Sequence, residues 1–573
     1  MKAHLALIAS LVFSLHLISD ATQPTVTLKD GTVLQGVSEE FHSDLLPAHG
    51  KIESFYGIPY AEAPVGPLRF KPPVPKKQLE SPFNATHVGS SCWQPDPETV
   101  GLRLINEVLS EDCLFLDVMV PKPTPEKAAV LVSIHGGGFL VGAGQMPFFS
   151  FLTSVVYGEV IIVAMNYRLG ALGFLTSGDD FIPGNFGLLD QQLALKWVNE
   201  NIEAFGGDPN RVTIAGVSAG SASVGFHMLS PGSQGLFQNA IMESGSPIDP
   251  WVVNRQGEEA RLEVKTLAKL LECNVGDGDD DVKLAECFWG ATAENITAKS
   301  GMVPAELGNP YFMPPGPRVD GVFLPKDPLR MIEEGVLNGE NVIVGTNGDE
   351  GTLLLLSFFP DKEVKPVVNS TIFSTALDGS LGNSADPVLL EIIKTIYTVD
   401  PTDLVDEKRD DFFHELVQYI GDYVMMCTGS KFARLTSQWK NVYRYTMTFV
   451  PSNNFFEVKW AGAAHGDEVQ YVAGGPFHEQ YVDKTTDEEK EMSRRTMSYW
   501  MNFIKTGDPN GADKSVLPDW PKYTKDDPIF KDLTPAMDNR YIKRRECYFM
   551  EKVIPPLQDA LSKKIRISEL EGK

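Results

Sequence analysis

Beyond its N-terminal segment the sequence has no apolar run long enough to cross a bilayer as a helix, which excludes a multi-spanning helical membrane protein. It has no CxxC or HExxH spacing, so no metal site is expected, structural or catalytic. Basic residues are few: 50 Lys and Arg stand against 76 Asp and Glu, a formal charge of −26. Such a surface repels phosphate backbones and anionic lipid, so neither nucleic acid nor an acidic membrane is an expected partner. The chain also lacks internal repeats and any Pro/Ser/Gly-rich linker. Although 573 residues alone would suggest several domains, one large domain over 22–573 is therefore expected. Cysteine is scarce but even in number: Cys92, Cys113, Cys273, Cys287, Cys427 and Cys547. Six cysteines allow fifteen pairings. The short spacings suggest Cys92–Cys113 and Cys273–Cys287 as local loops and leave Cys427–Cys547 by elimination, in an oxidising compartment.

That compartment agrees with the N-terminus. Lys2 precedes an apolar run from Leu5 to Ile18, and small residues follow through Ser19 and Ala21. This is the layout of a secretory leader over residues 1–21, cleaved after Ala21. The triplets at Asn84, Asn295 and Asn369 are N-glycosylation acceptors. A soluble, exported glycoprotein is the expectation.

Short β-branched runs alternate with helical patterns. Ala129–Ile134, Val160–Met165, Val212–Ala215, Asn239–Met242, Val342–Val344 and Val442–Thr446 have strand length, and the first three are almost continuously apolar. Strands of that kind are covered on both faces, as in a parallel sheet. Over 188–205, Leu189, Leu193, Leu195, Trp197, Val198 and Ile202 recur at helical spacing. The alternation predicts an α/β fold with a mostly parallel mixed sheet and helices on both faces.

Chemistry is concentrated where strands end. Gly216-Val217-Ser218-Ala219-Gly220 lies between the strand Val212–Ala215 and a helical pattern from Ala222. Ser218 thus falls on a sharp strand-to-helix turn, where glycines permit close backbone approach and the hydroxyl is lifted above the sheet edge. Upstream, His135-Gly136-Gly137-Gly138 follows the strand Ala129–Ile134. Acyl transfer needs donors aimed at a developing oxyanion, and bare Gly137 and Gly138 N–H groups can supply them with that of Ala219. A serine hydroxyl is a poor nucleophile at neutral pH and needs an oriented base. His465, in a small-residue loop after the strand near Val442–Thr446, is the candidate; His414 and His478 sit in helical or polar surroundings. The acid belongs on the loop after Val342–Val344, where Asp349 and Glu350 compete and composition does not separate them.

HGGGF (135–139), NYRLG (166–170), GNFGLLDQQ (184–192), AFGGDPNRVTIAGVSAGSAS (204–223) and SEDCLFLDV (110–118) together resemble the type-B carboxylesterase/cholinesterase family. So do GTNGDEGT (345–352), AAHGDEV (463–469) and MSRRTMSYWMNFIKTGDPN (492–510). The resemblance covers nearly the whole chain after the leader. It implies an α/β-hydrolase fold, a Ser218–Glu350–His465 triad, the same three disulfides, a small-molecule ester as substrate and no cofactor. It also implies a role for Trp251, Tyr311 and Met313 in an acyl pocket. Two features depart from the family pattern beside the nucleophile: Val217 replaces an acidic residue and Ser221 a glycine. The tryptophan expected between the first two cysteines is missing, with only Trp93 next to Cys92, and Leu353 and Leu354 stand where aromatic residues are usual. Cholinesterases hold their cationic substrate on aromatic rings, so these departures point to neutral esters. The runner-up among enzymes is a dedicated lipid or hormone esterase. The rival class is a catalytically silent binding protein, whose family members typically lack a triad residue.

Overall fold

A computed structural model describes residues 23–561 except 44, 47–48, 98–103, 146–151, 180, 253–257, 275–280, 308–315, 360, 382–385, 399–410, 479–480, 512–515, 517 and 542–544. The expected leader, Tyr311 and Met313 lie outside the described residues.

An 11-stranded mixed sheet forms the centre. Its strands in chain order are β1 (Val37–His42), β2 (His49–Pro59), β3 (Phe115–Lys122), β4 (Ala128–Ile134), β5 (Ile161–Met165), β6 (Gly207–Val217), β7 (Asn239–Glu243), β8 (Asn341–Asn347), β9 (Asn441–Met447), β10 (Ile529–Leu533) and β11 (Asn539–Tyr541). Across the sheet they run β11-β10-β9-β8-β7-β6-β4-β5-β3-β2-β1. From β10 to β5 every neighbouring pair is parallel, and β11, β3, β2 and β1 add antiparallel edges.

The continuous apolarity of the central strands follows from double coverage. In β4, Val130, Val132 and Ile134 join one core cluster while Ala129 and Leu131 join another. The first cluster includes Leu188, Leu195 and Val198 of α1 (Phe186–Asn201) and Val224 and Phe226 of α2 (Ala219–Leu229). Beyond β8 come the short α3 (Thr352–Phe358) and, later, α4 (Phe413–Gly421) and α5 (Val469–Val472). The second cluster is closed by Tyr499, Trp500 and Phe503 of α6 (Asp487–Thr506). Local sequence sets the limits of α6: Thr486 and Glu489 form a reciprocal capping box, and Gly507 ends it at φ 74°.

The sheet is mixed as expected, although the sequence pattern does not locate the strands of its antiparallel edge. β1 alternates half-buried and exposed positions, and β3 carries a buried Asp117 in its middle, so neither presents the unbroken apolar run of the central strands. Asp117 accepts the Gly57 N–H at 2.6 Å, where the β2–β3 register shifts.

Candidate active site

β4 and β6 are neighbours: the chain passes from β4 to β5 on one side and then crosses back to β6 on the other. Open α/β sheets form ligand crevices at such a reversal, beyond the carboxyl ends of the strands. His135-Gly136-Gly137-Gly138 extends from the end of β4, and Ser218 from the end of β6.

Ser218 has φ 59° and ψ −124°, a conformation rarely adopted by a residue with a side chain. Its cost, of order 1–3 kcal/mol, is offset by fixed partners. The Ser218 N–H donates to the Glu243 carbonyl at 2.8 Å, and the Ser218 carbonyl accepts from Ala222 N–H at 3.0 Å. Glycine is required around it for close approach. A Cβ on Gly216 would lie 2.4 Å from the Gly220 carbonyl carbon, and one on Gly220 would lie 2.1 Å from the Ile134 carbonyl oxygen. Gly220→Ala sets two effects against each other. Helix propensity would gain about 1 kcal/mol, whereas forcing a methyl group onto backbone costs about 3 kcal/mol or more. A net fall in the urea unfolding midpoint is expected, and an unchanged or raised midpoint would contradict this packing.

The glycine loop is equally constrained. Gly137 and Gly138 have φ 103° and 62°, and a Cβ on Gly137 would meet the Val141 carbonyl oxygen at 2.0 Å. Ala219 opens α2, so its N–H precedes the first intrahelical bond, which is Ala222 to Ser218.

His465 lies in the loop after β9, its Nδ1 2.7 Å from Glu350 Oε2. Both side chains are buried. Glu350 Oε1 accepts the Ser244 hydroxyl at 2.6 Å and the Asn347 N–H at 2.6 Å. Asp349 is directed elsewhere: its carboxylate accepts Ala463 N–H at 2.9 Å and Gln418 Nε2–H at 3.1 Å, tying the histidine loop to α4. Gly245 connects this group to the Ser218 turn, since a Cβ there would stand 2.5 Å from the Ser218 carbonyl oxygen. His414 is exposed on α4 and His478 half-buried beyond α5. His227, on α2, is fully buried between Ser233 and Gln191, and burial pushes it down to about 3.

Burial disfavours the His465 imidazolium, but the adjacent Glu350 charge and hydrogen bond outweigh it and raise the pKa, with help from Glu468 and Asp467. Glu468 is itself pushed up by burial and by Glu350. It accepts Tyr445 O–H at 3.1 Å and Ser244 O–H at 3.3 Å, and it is also bonded to Asn347. Ser244, Asn347 and Glu468 escaped the sequence reading. The available signal was the clustering of small polar residues at the carboxyl ends of β7 and β8.

Val217 is buried, and the Ser221 hydroxyl donates to the Gly245 carbonyl at 2.7 Å. Trp251 packs 6.2 Å from the Phe139 ring, beside the glycine loop, and donates its indole N–H to the Val424 carbonyl at 3.1 Å. Disulfides join Cys92 to Cys113, Cys273 to Cys287 and Cys427 to Cys547. Asn84, Asn295 and Asn369 are all exposed.

Residues 22–550 match the model of the carboxylesterase family. The chain belongs to the carboxylesterase family. Membership makes the fold an α/β-hydrolase, in agreement with the 11-stranded mixed sheet. It also supports ester hydrolysis at the level of the family. Among the described residues of this carboxylesterase-family chain, no helix is long and apolar enough to cross a membrane.

Proposed function

We propose that this chain is an exported serine esterase that hydrolyses neutral carboxylic esters. The observation that carries the reading is the buried His465–Glu350 hydrogen bond beside the strained Ser218 turn. In this reading His465 Nε2 takes the Ser218 proton as the hydroxyl oxygen attacks the ester carbonyl. The N–H groups of Gly137, Gly138 and Ala219 stabilise the oxyanion, and His465 returns the proton to the departing alcohol. Water then attacks the acyl-enzyme with His465 again as base, releasing the acid and restoring Ser218. Glu350 keeps the proton on Nδ1 and balances the transient imidazolium. Export is supported by the leader pattern, the three disulfides and the exposed acceptor asparagines.

Neutral substrates are favoured by a buried Val217 in place of a carboxylate beside Ser218, and by Leu353 and Leu354 in the first turn of α3, where the family resemblance implies aromatic rings. A panel of butyryl, long-chain and choline esters tests this with the purified protein. Choline and isosteric neutral alcohols should differ by roughly 3-fold or less in kcat/KM, where a desolvated cation–π contact of about 2 kcal/mol would give roughly 30-fold. A strong choline preference would overturn the substrate assignment. Failure of the protein to turn over any ester or to react with a fluorophosphonate would overturn the enzyme assignment and favour a binding protein on this fold.

A further inference from the structure

Beneath the nucleophile turn lies an internal cavity of about 40 Å³. Its walls combine the elbow (Gly216, Val217), the base of the glycine loop (His135), Glu243 at the end of β7, and Trp500 of α6. A buried water needs about 10–15 Å³ and several polar partners, so the space suffices for more than one.

Two side chains there have unfinished business with a donor or acceptor. His135 Nδ1 is 2.8 Å from the Gly136 carbonyl, which can only accept, so Nδ1 carries the proton and Nε2 presents its lone pair. Burial pushes the ring down to about 4 and keeps it neutral. His135 Nε2 is buried without a protein partner, which would cost about 1–3 kcal/mol if left unsatisfied. Glu243 is buried and accepts the Trp500 indole N–H at Oε1, 2.8 Å away. Its own backbone carbonyl is the acceptor for the Ser218 N–H. Burial, then the neighbouring Glu468, favours the neutral acid, and a neutral carboxyl group has an O–H to donate.

We propose that water in this cavity joins the carboxyl group of Glu243 to His135 Nε2, and that Glu243 is a positioning residue locking the Ser218 turn to the glycine loop. The positioning role rests on the esterase reading; the hydration does not. Through its carbonyl Glu243 holds the nucleophile's backbone, and through water it holds the residue from which Gly137 and Gly138 depart. The two sources of oxyanion donors are thereby kept in one register from behind the sheet.

The groups facing Glu243 separate its titration from theirs. Tyr445 of β9 is raised well above its ordinary value by burial and the surrounding carboxylates, and His135 of β4 titrates far below neutrality. Trp500 of α6 carries no charge. Glu468, at the head of α5, and Asp467 beside it, pushed up to about 8 by burial, are the competing acids. Both remain in Glu243→Gln, where the alkaline decline they cause is the part that Glu243 does not contribute.

Glu243→Gln and Glu243→Leu test the assignment. Glutamine keeps a donor and an acceptor without charge, so kcat should stay within roughly 3-fold of wild type, and the wild-type decline at alkaline pH, where Glu243 ionises, should shrink. Leucine removes both polar functions; kcat should fall roughly 10- to 100-fold with KM little changed, the scale of a small misplacement of reacting groups. Equal impairment of both variants, or an alkaline decline in Glu243→Gln unchanged from wild type, would overturn the positioning role. A crystal structure of the wild-type protein should contain ordered water within hydrogen-bond reach of both Glu243 and His135 Nε2, and its absence would overturn the hydration. That structural readout needs no turnover: an inactive wild type with the water present would sink the esterase reading and leave the water link standing. If Glu243→Leu does not fold, Glu243→Gln and the crystallographic water still decide.

Discussion

Ser218→Ala is expected to lower ester turnover by about 10⁴- to 10⁶-fold, the scale seen when a triad nucleophile is removed, and to abolish labelling by a fluorophosphonate. The loss should come without unfolding. Alanine is smaller than serine, and the strain at φ 59° resides in the backbone, which keeps its bonds to Glu243 and Ala222. The unfolding midpoint should therefore move little while activity disappears, a separation readable by running thermal melts beside the assay. Turnover surviving in the variant would mean that another side chain carries the reaction.

Glu350→Gln is the second large effect. The glutamine amide can still accept from Ser244 and Asn347 through its oxygen, but it then turns an N–H toward His465 Nδ1. Two donors would face each other, and the imidazole would relieve this by moving its proton to Nε2, where it can no longer accept from Ser218. A fall in kcat of about 10³- to 10⁴-fold is expected. The pH profile supplies a second reading. Glu350 is the largest influence raising the His465 pKa against burial. The wild-type acid limb, where His465 protonates and activity is lost, should thus lie above the ordinary imidazole value, and without the carboxylate it should move to lower pH. Asp349→Asn is the contrasting control: it perturbs a clamp on the Ala463 backbone and Gln418, so kcat should change less than about 10-fold. A larger loss in Asp349→Asn than in Glu350→Gln would exchange the roles proposed for the two residues.

What could be read before folding depends on the range of the interaction. The central strands were legible because burial on both faces leaves a continuous apolar signature, as in β4 and β5. The Ser218 turn was legible because the glycines that meet its steric demands fall within five adjacent residues. The His465–Glu350 contact spans 115 positions. Chain order and strand ends narrowed the acid to Asp349 or Glu350 and no further, since both sit on one short loop; the family resemblance pointed to Glu350, and the hydrogen bond runs there. Nothing periodic marks Ser244, Asn347, Glu243 or Glu468, polar residues whose partners are supplied by other strands and by α6. The antiparallel edge was hidden for a related reason: with one face exposed and the other only half-buried, β1 has the composition of an ordinary loop.

The near-contact between Gly220 and the Ile134 carbonyl has a consequence for how such a protein can diversify. The turn bearing Ser218 and the strand feeding the glycine loop are pressed together with no space for even a methyl group. Variation on either side of that seam is transmitted to the other, so the Ser218 turn and the glycine loop must be inherited as a unit. Positions away from that seam are freer: Trp251 is half-buried and Leu354 is exposed. A library that spares 134–138 and 216–221 and randomises those two positions should yield many folded variants. One that randomises the seam should yield mostly insoluble chains.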